Sequence, residues 1–96
     1  LFNFARVEQT GPQNTITTSQ NGEENLFSAL QSGTGNTIQA TQDGNFNFAG
    51  DDIDVGITQL GNNNSFTLLQ EGDDNTLSSV TQSGNNNTLV VEQHGP

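Results

Sequence analysis

Between Asn36 and Gln42 the chain alternates: Thr37, Gln39 and Thr41 are polar, while Ile38 and Ala40 share their parity with the two flanking amides. The same alternation recurs at Ile16 and Thr18, Phe27 and Ala29, Phe66 and Leu68, and Leu89 and Val91. A period of two marks a half-buried strand. Each segment therefore predicts a strand that turns its apolar pair, and the Asn and Gln that bracket it, toward one interior. The alternate positions, such as Thr15, Thr17 and Ser19, face out.

A fixed figure, Q-x-G-x-x-N, closes each strand and opens the next. Its Gln falls at Gln9, Gln20, Gln31, Gln42, Gln59, Gln70, Gln82 and Gln93, at spacings of 11, 11, 11, 17, 11, 12 and 11. Two positions later stand Gly11, Gly22, Gly33, Gly44, Gly61, Gly72, Gly84 and Gly95. Five positions later stand Asn14, Asn25, Asn36, Asn47, Asn64, Asn75 and Asn87, with Asn3 opening the series. Glycine among Asn, Asp, Ser and Thr supplies the positive φ of a tight reversal, so Val at Gly33 and Gly72 is expected to forbid those turns.

Units this short cannot bury a face singly and must fold back in pairs and stack. Two units make one coil of 22 residues, coils stack at about 4.8 Å, and four coils span roughly 19 Å. The predicted fold is all-β: a two-sheet parallel β-solenoid of cross-β type, one repeat domain over residues 1–96 made of eight 11-residue strand-turn units. Strands ending at Gln9, Gln31, Gln59 and Gln82 form one sheet, and those ending at Gln20, Gln42, Gln70 and Gln93 the other. One extra residue before Gln82 is expected as a bulge at Ser78 and Ser79 that leaves Leu77 and Val80 inward. Six extra residues before Gln59 predict an inserted loop near residues 48–53, containing Gly50, Asp51 and Asp52 and leaving from one edge, with Val55 and Ile57 inward again.

Stacking sets each inward Asn and Gln over its counterpart, so the primary amides are expected to donate and accept along the axis as ladders. An unpartnered buried amide costs about 1–3 kcal/mol, which requires the ladders to be nearly complete. The motif begins at Asn3 and still runs at Gln93, so both ends of the stack are expected to be open. Joining Gln93-His94-Gly95-Pro96 to Leu1-Phe2-Asn3 of a second copy makes a bracket one residue longer than the internal one. A head-to-tail contact of this kind does not close and yields a filament.

Composition changes this picture little. Apolar residues at 28% and a net charge of -10 would by themselves describe a disordered acidic segment, but disorder gives no reason to hold a register. A single basic residue, Arg6, excludes nucleic acid and anionic membrane as partners that need counter-charge, and no apolar run is long enough for membrane insertion. Without Cys there is no disulfide or thiolate chemistry. A chain opening on Leu1 is expected to be a processed or trimmed form.

The repeated Q-x-G-x-x-N followed by an alternating strand and another Gln resembles the curlin repeat of bacterial curli subunits, and the likeness covers almost the whole chain. That resemblance implies an extracellular functional-amyloid fibre at the cell surface or in the biofilm matrix, with a structural and adhesive role. It implies self-assembly as a homopolymer outside the cell, secretion as an unfolded chain, and partners that include a nucleator subunit and secretion or chaperone proteins.

The residues also bear on two other functions. Glu23, Glu24, Asp43, Asp73 and Asp74, with Glu71, fall in turns on one edge, where stacked carboxylates could attract Ca²⁺ through oxygen ligands. The simpler reading is a solvated acidic edge that keeps the protein soluble, with no cofactor. Outward Thr15, Thr17, Thr37, Ser65, Thr67 and Thr88 lie on one sheet and resemble the hydroxyl face of ice-binding solenoids, interrupted by Gln39, Leu69, Val90 and Glu92. Catalysis is not expected: the single His, His94, has no nucleophile arranged with it, and no phosphate loop is present.

Overall fold

The computed structural model describes residues 3–50 and 56–95, and every element in them is a β-strand. In chain order these are β1 (Phe4–Thr10), β2 (Thr15–Asn21), β3 (Leu26–Thr34), β4 (Thr37–Asp43), β5 (Phe48–Ala49), β6 (Ile57–Asn62), β7 (Ser65–Glu71), β8 (Thr76–Leu77), β9 (Val80–Asn85) and β10 (Thr88–His94). Strands β2, β4, β7 and β10 form one parallel sheet of four seven-residue rungs. The second sheet stacks β1, β3, then β5 and β6 on one rung, then β8 and β9 on the next. The chain thus winds as four coils, β1–β2, β3–β4, β5–β7 and β8–β10, numbered here one to four. Among the described residues no helix is long and apolar enough to cross a membrane.

Register follows the bracket. Gln9 pairs with Gln31, Gln31 with Gln59 and Gln59 with Gln82 in one sheet, and Gln20, Gln42, Gln70 and Gln93 align in the other. The core lies between the sheets, where Phe27, Ala29, Ile38, Ala40, Ala49, Ile57, Phe66 and Leu68 are all buried. Its columns balance volume along the axis. Ala5, Phe27, Ala49 and Leu77 stack in one column, so a small side chain separates each large one from the next. That spacing lets Phe27 be fully buried without crowding the 4.8 Å rise.

The insertion departs from the sequence expectation. Phe48 and Ala49 are not loop: they form β5, pairing with Leu26 and Phe27, and β6 resumes at Ile57 against Ala29. The chain therefore leaves the sheet at Gly50, in the middle of a strand, rather than from the turn edge; Asp51, Asp52 and Val55 lie outside the described residues. Gly50 N–H donates to Leu77 O (2.9 Å), and Gly56 N–H donates to Ser28 O (3.0 Å). These two glycines occupy the place that Ser28 fills alone one coil earlier. They pass so close that a Cβ on Gly56 would lie 2.5 Å from the Gly50 nitrogen.

On the next rung Ser78 and Ser79 separate β8 from β9, leaving Leu77 over Ala49 and Val80 over Ile57. Two residues thus bridge the two strand ends beneath them. The bulge and the insertion, separate irregularities in the sequence, are one structural adjustment.

The turns use positive φ twice. Gly11, Gly22, Gly33, Gly44, Gly61, Gly72 and Gly84 have φ between 93° and 128°. The residue before each bracket Asn is left-handed as well: Gln13, Glu24, Gly35, Phe46, Asn63, Asp74 and Asn86, at 58° to 71°. Only Gly35 takes that conformation without Cβ strain. Exposed Gln13 (φ 64°) can be relieved at no packing loss, so Gln13→Gly is expected to stabilise the fold by about 1 kcal/mol, read as a higher midpoint in denaturant.

Candidate functional site

Two amide ladders run the length of the stack. Gln9 Nε2 donates to Gln31 Oε1 (2.9 Å), Gln31 to Gln59 (2.7 Å) and Gln59 to Gln82 (2.6 Å). In the facing sheet Gln20 donates to Gln42 (2.8 Å), Gln42 to Gln70 (2.7 Å) and Gln70 to Gln93 (2.6 Å). Every one of these bonds points toward coil four. The sense is set by carbonyls across the core: Gln20, Gln42 and Gln70 also donate to Phe4, Leu26 and Phe48 O, and Gln82 and Gln93, last in their ladders, donate to Ser65 and Thr76 O. Exchanging amide N and O would set oxygen against oxygen at each site.

The asparagines are stacked but do not bond amide to amide as expected. Each backbone N–H donates to Oδ1 of the Asn one coil before: Asn25 to Asn3, Asn47 to Asn25 and Asn75 to Asn47, at 2.9–3.1 Å. Asn36, Asn64 and Asn87 do the same to Asn14, Asn36 and Asn64. Nδ2 instead reaches forward to the glycine carbonyl of the next coil, Asn14 to Gly33, Asn25 to Gly44, Asn36 to Gly61, Asn47 to Gly72 and Asn64 to Gly84. The physical reason is the turn: Asn is too short to clear the strand end, and the left-handed residues beside it expose N–H and C=O groups that need partners. Asn75 alone also donates to an amide, Asn47 Oδ1.

A third set of bonds joins the turns of successive coils. The residue after the turn glycine also reaches between coils: Asn45, Asn62, Asp73 and Asn85 Oδ1 accept from the backbone N–H of Glu23, Thr34, Asn45 and Asn62. Asn or Asp following glycine in the bracket is the signal that could have revealed it.

The acidic residues are spread along their columns. Glu23, Asn45 and Asp73 share one turn position on successive coils, and Glu24, Phe46 and Asp74 the next, so an amide or a ring separates the carboxylates. Asp43 pairs directly with Glu71, and His94 Nδ1 lies 3.0 Å from Glu71 Oε1. Among the described residues no three Asp, Glu or His side chains are grouped to hold a metal ion. On the outward face of that same sheet Thr15, Thr37, Ser65 and Thr88 align, whereas the next column reads Thr17, Gln39, Thr67 and Val90, the last 59% exposed.

What the stack offers chemically is its two end faces. Gln31, Gln42, Gln59 and Gln70 are fully buried, and so are their core neighbours in coils two and three. In coil one, inward Val7 is 42% exposed, and in coil four Leu77, Val80, Leu89 and Val91 are only partly covered. Among the described residues each end face is an apolar floor with the outermost amides of the two Gln ladders at its rim.

No curated protein matches the chain. The family profile of the curlin associated repeat matches it three times, at residues 11–44, 50–78 and 61–95.

Proposed function

The chain belongs to the curlin-associated repeat family, whose members are structural subunits of extracellular fibres, and we propose that it self-assembles head to tail into a functional-amyloid filament. The observation that supports this reading is that both Gln ladders run from coil one to coil four while the core residues of those two coils are only partly covered. Each added copy continues two sheets, two Gln ladders and four core columns, so one joint repeats the energetics of the internal coil contacts. Head-to-tail contacts that do not close make fibres. Placement in a biofilm matrix and a role in adhesion follow as the function of such a fibre outside the cell. A nucleator and secretion partners belong to the same reading.

The acidic turns then serve as a solvated edge: with a net charge of -10 per copy they keep filaments apart in solution without a cofactor. Purified protein is expected to form thioflavin-positive filaments with an axial reflection near 4.8 Å. Concentrated protein that stays monomeric, or that shows thermal hysteresis without filaments, would remove the proposal in favour of a monomeric binding solenoid.

A further inference from the structure

We propose that the step from Asn21 to Gly22 is a self-modifying site: water converts Asn21 to isoaspartate or aspartate in chains that stand free, and entry into a filament protects it. The protection rests on the filament reading; the chemistry does not.

Asn21 is the one asparagine of the chain that precedes glycine. The order matters because the reaction brings the backbone nitrogen of the next residue onto the Asn Cγ, and glycine, with no Cβ, obstructs that approach least. Asn21 closes β2 and is exposed, and among the described residues its side-chain amide makes no hydrogen bond. The bracket asparagines differ. Asn25, Asn47 and Asn64 each hold Oδ1 on a backbone N–H and Nδ2 on a glycine carbonyl.

The attacking nitrogen is free as well. On this edge each later turn glycine donates its N–H one coil back: Gly44 to Asn21 O (3.0 Å), Gly72 to Asp43 O (2.9 Å) and Gly95 to Glu71 O (2.8 Å). Gly22, in coil one, has no such acceptor among the described residues. A preceding copy supplies it. By the register of the other three glycines the acceptor is that copy's His94 carbonyl, and Asn21 O already holds Gly44 N–H and Asn25 Nδ2 (2.9 Å). A peptide plane bonded from both sides cannot swing its nitrogen onto Cγ.

Water alone balances the reaction. A solvent base takes the Gly22 amide proton, the nitrogen bonds to Asn21 Cγ, and ammonia leaves as the succinimide ring closes. Water then opens the ring at either carbonyl. Opening at the backbone carbonyl gives isoaspartate, whose chain runs on through Cβ and Cγ; opening at Cγ gives aspartate. Either product handicaps coil one. Isoaspartate takes out of the backbone the carbonyl that holds Gly44 and Asn25, and aspartate sets a carboxylate beside Asp43, its direct partner in the sheet. A chain that waits outside the filament is thereby withdrawn from growth.

The test divides one preparation into seeded filaments and free chain held too dilute to grow, both at the same mildly alkaline pH. Peptide mass spectrometry follows Asn21, and enzymatic methylation reads isoaspartate. In the free chain Asn21 should convert before any other asparagine, and faster as pH rises. In filaments its conversion should be about tenfold slower, the effect of one hydrogen bond on Gly22. Aged free chain should add to fresh seeds about tenfold more slowly than fresh chain. Asn21→Gln, whose longer side chain would have to close a larger ring, should age without that loss; its column already accommodates Asp43, Glu71 and His94. Equal conversion in filaments and free chain, preference for another asparagine, or an equal loss in aged Asn21→Gln overturns the proposal. If fresh unchanged chain forms no filaments, it is the filament reading that fails, and the protection with it, while conversion at Asn21 in the free chain is still decided by its mass.

Discussion

Gly33→Ala combined with Gly61→Ala is expected to abolish filament growth, and Gly84→Ala to abolish it by a different route. At Gly33 φ is +118° and at Gly61 +112°, beyond the left-handed region that a side chain tolerates. A Cβ at Gly33 would overlap the Gly61 carbonyl oxygen of the next coil, and one at Gly61 would overlap that of Gly84. Strain and overlap together cost about 2–6 kcal/mol at each position, against a typical whole-domain stability of about 5–15 kcal/mol. The double variant should therefore lose the wound state altogether, seen as an absence of β-signal and of thioflavin response at any concentration.

Gly84 provides the contrast. Its φ is +111°, but among the described residues a Cβ there meets only Asn87 Nδ2, at 3.5 Å. Gly84→Ala keeps the internal stack free of overlap and pays only backbone strain. By the geometry of the other glycines, its Cβ would strike the Gly11 carbonyl of the next copy. The variant is expected to dock on an unchanged filament and stop it from growing further at that end. Seeded growth followed by imaging measures this directly, and two-ended growth at the unchanged rate would contradict the proposed stacking.

The winding was legible in the sequence because parity is hard to disguise. Gln, Gly and Asn at fixed offsets placed the strands, their register and the two sheets, and the odd residue count before Gln82 located the break at Ser78 and Ser79. The insertion was misplaced because Gly50, Asp51 and Asp52 read as a turn. Counting forward from Asn47 gives Phe48 the outward parity of Leu26, and Ala49 the inward parity of Phe27. Two residues are too short a strand to show a period.

The second left-handed position was hidden for another reason. Gln13, Glu24, Gly35, Phe46, Asn63, Asp74 and Asn86 have no chemistry in common, so the conformation is imposed by closing the turn and not requested by the side chain. The sense of the ladders was equally invisible. A Gln side chain carries both donor and acceptor, and only the carbonyls across the core decide which end points along the axis.

Gln42→Glu turns that last feature into a pH-dependent filament. Gln42 is fully buried, accepts from Gln20, and donates to Gln70 Oε1, Leu26 O and Asn47 O. A protonated carboxyl at this position can still accept from Gln20 and give its one hydrogen to Gln70. The ionised form has no hydrogen to give and points its charge at three oxygens in a dry site. Burial and these acceptors both oppose ionisation, so the folded pKa of the introduced group must lie above the ordinary value of about 4.3. For a raised acid the folded state binds the extra proton. The variant should therefore be least destabilised below about pH 4, where it lacks only the donor to Leu26 O and Asn47 O, and lose about a further 1.4 kcal/mol for each pH unit above it, until the folded pKa is passed. The measurement is the ratio of critical concentrations, variant over unchanged, at each pH, so that everything the two chains share cancels. The ratio is expected to rise by up to about tenfold per unit above about pH 4.5; a steeper rise would exceed what one proton can do, and a flat ratio would mean that the introduced group is neither dry nor set against acceptors.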